Sequence, residues 1–337
     1  MKLTGRIMRL MCMLIMPALC MTGMSGCTGK TEEMSLIPDI HFEKGFKVRD
    51  LGGNQGTTDY IGYFPADTDE EEVKWTLAQW SARYSFIDEK VSEERQPSEG
   101  VWFISSPNEV FGVDTKTGLV TFQCNASKCY DTHRTGSEPW MHLLIETGFI
   151  RDNNWGKVSD LKQLNISVDT KLTKFEDHMG EAFNGSTHAA QFLMYLTIQN
   201  LNTGSEDYGK YIWFGIGMFD NRTLEIDRYY NLDPGTGSMI YSLSSTETRK
   251  GDYNYRKDGV IQAGEDTPWV SYTADVADEV KKAFETVQAG GMLQNSTLDD
   301  MYVAGMNIGW EVPGTYDVEM LVKNLDVVAV RAKTEKA

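Results

Sequence analysis

Residues 191–199 read Gln-Phe-Leu-Met-Tyr-Leu-Thr-Ile-Gln, and residues 211–220 read Tyr-Ile-Trp-Phe-Gly-Ile-Gly-Met-Phe-Asp. Successive side chains of a strand point to opposite faces. Gln191, Leu193, Tyr195, Thr197 and Gln199 therefore share one face, with Phe192, Met194, Leu196 and Ile198 opposite. In the second run Tyr211, Trp213, Gly215, Gly217 and Phe219 alternate against Ile212, Phe214, Ile216 and Met218. A period of two over this length signals a strand. The same signal recurs at 109–114, 119–124, 140–146, 225–230, 238–243, 302–311 and 316–331, bounded by Gly, Asn, Asp and Ser clusters. Only 70–84 and 275–289 read as helix. The first sets Val73, Leu77 and Trp80 at helical spacing behind an acidic turn. The second sets Val276, Val280, Phe284 and Val287 on one stripe and stops at Gly290-Gly291. Both stripes read as core packing. Many strands with two isolated helices predict a mainly β fold: a β-sandwich or jelly roll with two short helices in its connections. Neither an internal repeat nor a Pro- or Ser-rich linker interrupts residues 40–331, so a single domain over 40–333 is expected.

The N-terminus has a different character. Lys2, Arg6 and Arg9 precede an apolar run from Ile7 to about Met24, the layout of a secretory signal over residues 1–26. Met24-Ser25-Gly26-Cys27 resembles the lipobox of bacterial lipoproteins, with methionine where leucine is usual. The resemblance implies cleavage before Cys27, lipidation of that cysteine, and a lipidated tether over 27–39, with ordered structure beginning near Ile40. Lys30-Thr31-Glu32-Glu33 resembles the short charged tags by which gut Bacteroidota send lipoproteins to the outer face of the outer membrane. The implied location is that surface, or otherwise the periplasm.

The chain carries a net charge of −17, and loss of the leader would remove three further positive charges. Such a chain repels phosphate backbones, which argues against nucleic-acid binding. The same charge argues against acidic substrates unless a local base overrides it. With no basic patch for anionic headgroups, membrane attachment falls to the lipid. Outside the leader and lipobox only Cys124 and Cys129 remain, and in an oxidising compartment they are expected to close a small disulfide. They fall short of the four ligands of a zinc site. No metal or cofactor is expected beyond a candidate structural Ca²⁺ in the turns Asp220-Asn221-Arg222 and Asn231-Leu232-Asp233-Pro234-Gly235. A monomer is expected.

The polar strand faces hold the chemistry. Trp140, His142 and Glu146 lie opposite Met141, Leu143 and Ile145, and Glu225 and Asp227 flank Ile226. A merely wet surface has no need of this mixture of aromatics, amides, His and acids. Sugars do: aromatic planes stack on pyranose rings while amides and carboxylates hydrogen-bond hydroxyls. Gly215 and Gly217 would let a ligand approach the sheet. The expected substrate-binding set is Trp140, Gln191, Tyr195, Tyr211, Trp213, Arg222 and Glu311. Trp310 and Glu311 point to opposite faces, so only one of them meets a groove.

This layout resembles the concanavalin A-like jelly rolls of glycan-degrading loci in Bacteroidota over roughly residues 40–331, implying a polysaccharide or oligosaccharide partner. Glu225-Ile226-Asp227 resembles the Glu-x-Asp of family 16 glycoside hydrolases, in which the glutamate is the nucleophile and the aspartate tunes it. That family's acid/base glutamate follows one or two positions on, where Arg228 and Tyr229 stand here, so the motif is incomplete. Hydrolysis needs two carboxyls, about 5–5.5 Å apart if retaining and about 6.5–9.5 Å if inverting. With Glu225 as one, Glu146 or Glu311 is the candidate for the other. Alternatively, His142 with Gln191, Tyr195 and Arg222 would suit a polysaccharide lyase, which neutralises a uronate and moves a proton. The catalytic candidates are thus Glu225, Asp227, Glu146 and His142. A non-catalytic glycan-binding lipoprotein is the alternative class. P-loop, Rossmann, HExxH and GxSxG patterns are absent.

Overall fold

A computed structural model describes residues 30–52 and 59–333; the leader 1–26 and Cys27 lie outside the described residues. The strands form two large sheets. The nine-stranded sheet runs Tyr229–Leu232, Met239–Leu243, Tyr211–Asp220, Gln191–Asn200, Met301–Val312, Met141–Gly148, Trp75–Ala78, Phe46–Arg49, Tyr60–Phe64. The eight-stranded sheet runs Val270–Asp275, Leu161–Asp177, Tyr316–Ala332, Leu119–Asn125, Glu109–Asp114, Val101–Ser105, Glu93–Ser98, with Thr31–Ser35 also on Tyr316–Ala332. Pairing is antiparallel except where Tyr211–Asp220 meets Met239–Leu243 and where Phe46–Arg49 meets Trp75–Ala78.

The apolar halves of the alternating strands explain the stacking of the sheets. Phe192, Met194, Leu196, Ile198, Ile212, Phe214, Ile308 and Trp310 from one sheet, and Phe111, Phe122, Val168, Val318 and Val322 from the other, are fully or almost fully buried in one continuous core. Trp310 donates its Nε1–H to the Phe122 carbonyl of the facing strand at 3.1 Å, joining the sheets with a satisfied indole. The fold is the mainly β sandwich that alternation predicts, and among the described residues it carries two α-helices, Ser245–Thr248 and Ala277–Ala289. The longer packs Val280, Phe284 and Val287 inward as its stripe requires.

Four local expectations are overturned. Residues 70–84 form no helix: a turn at Asp69–Val73 leads into the strand Trp75–Ala78, whose Trp75 and Leu77 face the core. Val73, Leu77 and Trp80 satisfy a helical spacing, but Trp75 and Leu77 satisfy a period of two, and sheet pairing on both sides favours the strand. Residues 225–228 belong to a loop, and that strand begins only at Tyr229. Order starts well before Ile40: Thr31–Ser35 pairs with Ala332–Val328, and Leu36 is wholly buried. Cys124 and Cys129 are free thiols. Cys124 points into the core between the sheets, whereas Cys129, past a 3₁₀ turn, has its Sγ 3.7 Å from Met141 Sδ. Burial lifts both thiols, Cys129 to about 12.

Candidate functional site

The outer face of the nine-stranded sheet gathers most of the expected residues, because register sets polar positions side by side. Ser242, Gly215, Tyr195, Asn307, Glu146, Thr76 and Lys47 form one row across it. Trp213, Thr197, Gly305 and Gly148 form the next. Gln191, Glu311 and His142 form a third, nearer the other end of the strands. A cavity of about 420 Å³ opens here, with Gly148, Thr197, Gly305 and Asn307 in its floor. Trp213 lines one side, and Lys47, Arg49, Tyr60, Lys74, Thr76 and Glu146 line the rest.

Trp213 anchors an aromatic group. Its ring meets Tyr195 edge-on at 5.7 Å and Tyr211 at 4.9 Å. Its indole N–H donates to Thr236 Oγ1 at 3.3 Å, and that hydroxyl donates to Asp233 Oδ2 at 2.5 Å. The turn Asp233–Ser238 is thereby tied to Trp213. Gly215 and Gly217 do not leave room for a ligand: a Cβ on Gly215 would meet Ser242 Oγ and the Tyr195 ring, and one on Gly217 would meet Ile226. Glycine there admits the chain's own side chains.

Glu311 is the carboxyl whose chemistry this face changes most. Trp310 takes the core side, so Glu311 points outward. No hydrogen bond within the described residues reaches its carboxyl. Burial, with a smaller push from the Asp233 charge, raises it to about 7. It therefore holds its proton well above the pH at which an ordinary glutamate has lost it. Burial holds the Tyr195 phenol above the ordinary range, and the charges of both acids add to the rise. Glu146, directly opposite Asn307, accepts from Arg49 Nε at 3.0 Å; burial raises it and Arg49 opposes the rise. Four residues along one strand separate Asn307 from Glu311, so the two glutamates hang from backbone positions roughly 13 Å apart.

Other expected residues are engaged elsewhere. His142 lies between Trp80 and Trp140, at ring distances of 5.9 and 5.7 Å, and burial lowers it to about 4. Its imidazole is neutral at pH 7. Arg222 grips Asp220 with Nε and Nη2 at 2.9 and 2.6 Å, and Gln191 donates to the same carboxylate at 2.9 Å. In the two turns expected to hold Ca²⁺, Asp220 thus accepts from Arg222 and Gln191, and Asp233 accepts from the Gly235 N–H and the Thr236 hydroxyl. Glu225 is bound by Arg249 at 2.6 and 2.8 Å and by Ser245 and Asn254. Arg249 holds its carboxyl below the usual range. Asp227 is exposed in the same loop. The structure brings Glu146 and Trp213 to the cavity, with Tyr195 and Tyr211 packed against Trp213, and Gln191, Glu311 and His142 into one row beyond it. Glu225 is committed to Arg249 in the loop before Tyr229, Asp227 is exposed in that loop, and Arg222 is committed to Asp220 beside Gln191.

Sequence reasoning missed Lys47, Arg49, Tyr60, Asn307 and Asp233. Asn307 was legible, since it shares the period-two face of Glu311. Asp233 was legible only as a turn residue, because its approach to the sheet depends on the Trp213–Thr236 hydrogen bond.

No protein-family model matches the chain, and no curated relative matches it. Among solved structures it is similar to the endoglucanase cel12A from Rhodothermus marinus, at 12% identity and TM-score 0.37, over 72% of this chain and 96% of that one. It is similar also to the xyloglucanase domain of NopAA, a type three effector from Sinorhizobium fredii, in complex with cellobiose, at 9% identity and TM-score 0.34, over 71% and 98%. The family 11 xylanase from Neocallimastix patriciarum gives 10% identity and TM-score 0.33, over 72% and 97%. Likeness at this level assigns no residue of this chain a role.

Proposed function

We propose that the outer face of the nine-stranded sheet binds a glycan, and that the protein is a glycoside hydrolase with Glu311 as its general acid. The observation that supports this reading is Glu311 itself: an outward-facing carboxyl, unengaged by hydrogen bonds among the described residues and raised to about 7 by burial and, less, by the Asp233 charge. A general acid works best with a pKa near the operating pH. Glu311 protonates the leaving glycosidic oxygen as its bond to the anomeric carbon breaks, and Asp233 is the second carboxylate, which assists the attack of water at that carbon. Trp213 and Tyr211 supply stacking faces, and Asn307, Thr76 and Thr197 supply hydrogen bonds to hydroxyls. Glu225, committed to Arg249, takes no part.

The test is digestion of a polysaccharide panel by the wild type and Glu311→Gln, scoring both new reducing ends and unsaturated-uronate absorbance. Reducing ends without absorbance from the wild type, and neither from a Glu311→Gln protein that still binds, are expected. Absorbance at 4,5-unsaturated ends would replace hydrolysis with elimination, and undiminished cleavage by Glu311→Gln would remove Glu311 from the mechanism.

We also infer that the chain is exported, lipidated at Cys27 and held at the bacterial outer membrane. The support is the charged-then-apolar leader ending in Met24-Ser25-Gly26-Cys27. A fatty-acid analogue should label the wild type, and Cys27→Ala should lose both the label and the membrane fraction; a labelled Cys27→Ala refutes the anchor.

A further inference from the structure

Resting on the glycan-binding reading, we infer that the cavity beside Trp213 selects a sugar bearing an oxyanion, either a uronate carboxylate or a sulfate ester. The chain as a whole has 49 acidic and 32 basic residues, so a random stretch of its surface is acidic. The cavity reverses that balance. Lys47, Arg49 and Lys74 line it, and among the described residues Glu146 is its one acidic side chain.

Two of these cations lie over one aromatic ring. Lys47 Nζ is 5.5 Å from the centre of the Tyr60 ring and the Arg49 guanidinium 5.3 Å. Neither Lys47 nor Lys74 forms an ion pair among the described residues, whereas Arg49 is turned toward Glu146. Glu146 therefore offsets one cation and leaves two ammonium groups for a ligand. Lysines act as mobile point charges rather than fixed forks, which suits either a flat carboxylate or a tetrahedral sulfate. The volume of about 420 Å³ falls in the ordinary range for small-ligand pockets, ~300–1,000 Å³. Trp213 stands across the sheet from these charges, so an oligosaccharide can stack one ring on the indole while a charged substituent of another ring meets the lysines. The overall negative charge then acts as a filter: an acidic glycan is repelled elsewhere and held only where the sign changes.

The test is calorimetric titration of the full chain with tetragalacturonate, a sulfated carrageenan tetrasaccharide, cellotetraose and xylotetraose, at low and high salt. The wild type should bind at least one charged tetrasaccharide about tenfold tighter than either neutral one, since one hydrogen bond to a charged group is worth about that factor. The two charged ligands separate carboxylate from sulfate recognition. Lys47→Gln/Lys74→Gln, checked for an unchanged melting temperature, should lose most of that preference and keep its neutral affinities. High salt should reduce the preference in the wild type and not in the variant. Equal or tighter binding of the neutral ligands by the wild type, or a charged-ligand preference that survives in the double variant, overturns the inference while leaving the glycan site standing. Failure of all four ligands to bind would count against the glycan reading itself, and the inference falls with it.

Discussion

Burial on the outer sheet face moves Glu311 from an ordinary value near 4.5 to about 7, so between those pH values the folded protein holds a proton that the unfolded chain has released. Stability falls with rising pH wherever the native state binds more protons. The Glu311 contribution is whole below pH ~4.5, is lost as pH rises through 7, and is flat beyond. At ~1.4 kcal/mol per pKa unit the loss approaches ~3 kcal/mol. Glu311→Gln has no such proton. Urea denaturation should find it more stable than the wild type by ~1–3 kcal/mol at pH 8 and equal to it at pH 4. A difference independent of pH would mean that Glu311 titrates normally. A side chain whose replacement stabilises the fold is what a functional position looks like, since activity and stability are often in conflict.

Glu225 illustrates the opposite case at the scale of elements. Its bidentate contact with Arg249, together with Ser245, ties the loop before Tyr229–Leu232 to the helix Ser245–Thr248, and the loop in turn lays Ile226 over Gly217. Arg249 is nearly buried, so removing the acid leaves a charge without its partner. Glu225→Gln should cost about 2 kcal/mol, the scale of hydrogen bonds to charged groups. Its turnover per folded molecule should stay near that of the wild type. Thermal melting with activity below the melting point checks both, and abolished turnover in a well-folded Glu225→Gln would return this glutamate to the mechanism.

The limits of sequence reading also belong to this scale. Gln191–Asn200 and Tyr211–Asp220 were legible because ten residues of alternation allow one reading. Trp75–Ala78 was not, because two inward side chains in four residues fit either period and its sheet partners are distant in sequence. Leu161–Asp177, the equal-longest strand with Tyr316–Ala332, escaped notice because Asn165, Ser167, Asp169, Lys171 and Thr173 on its outward side dilute Ile166, Val168 and Leu172 within.

Across the whole molecule, the sandwich separates two tasks. The inner faces supply the core, and the outer face of the nine-stranded sheet can then carry Trp213, Tyr195, Glu146, Asn307 and Glu311 on rigid strands instead of loops. That division could be read from alternation alone, as could the face on which most site residues lie. What alternation does not encode is which loops fold back over the face. The Asp233 turn reaches it through Thr236 and Trp213, and the Glu225 loop lays Ile226 over Gly217 while its glutamate turns to Arg249; both depend on contacts between segments far apart in sequence. The central claim joins these levels: a glycan lies on this face with Glu311 at the bond to be cut. The most direct measurement is a crystal structure of Glu311→Gln with an oligosaccharide taken from the digestion panel. A sugar ring should stack on Trp213, and the residue 311 amide should lie within hydrogen-bond reach of a glycosidic oxygen, about 2.6–3.2 Å. An oligosaccharide seated instead in the larger cavity between Asp207–Tyr211 and Gly291–Asn295, or one whose glycosidic oxygens all lie beyond reach of residue 311, would contradict the account.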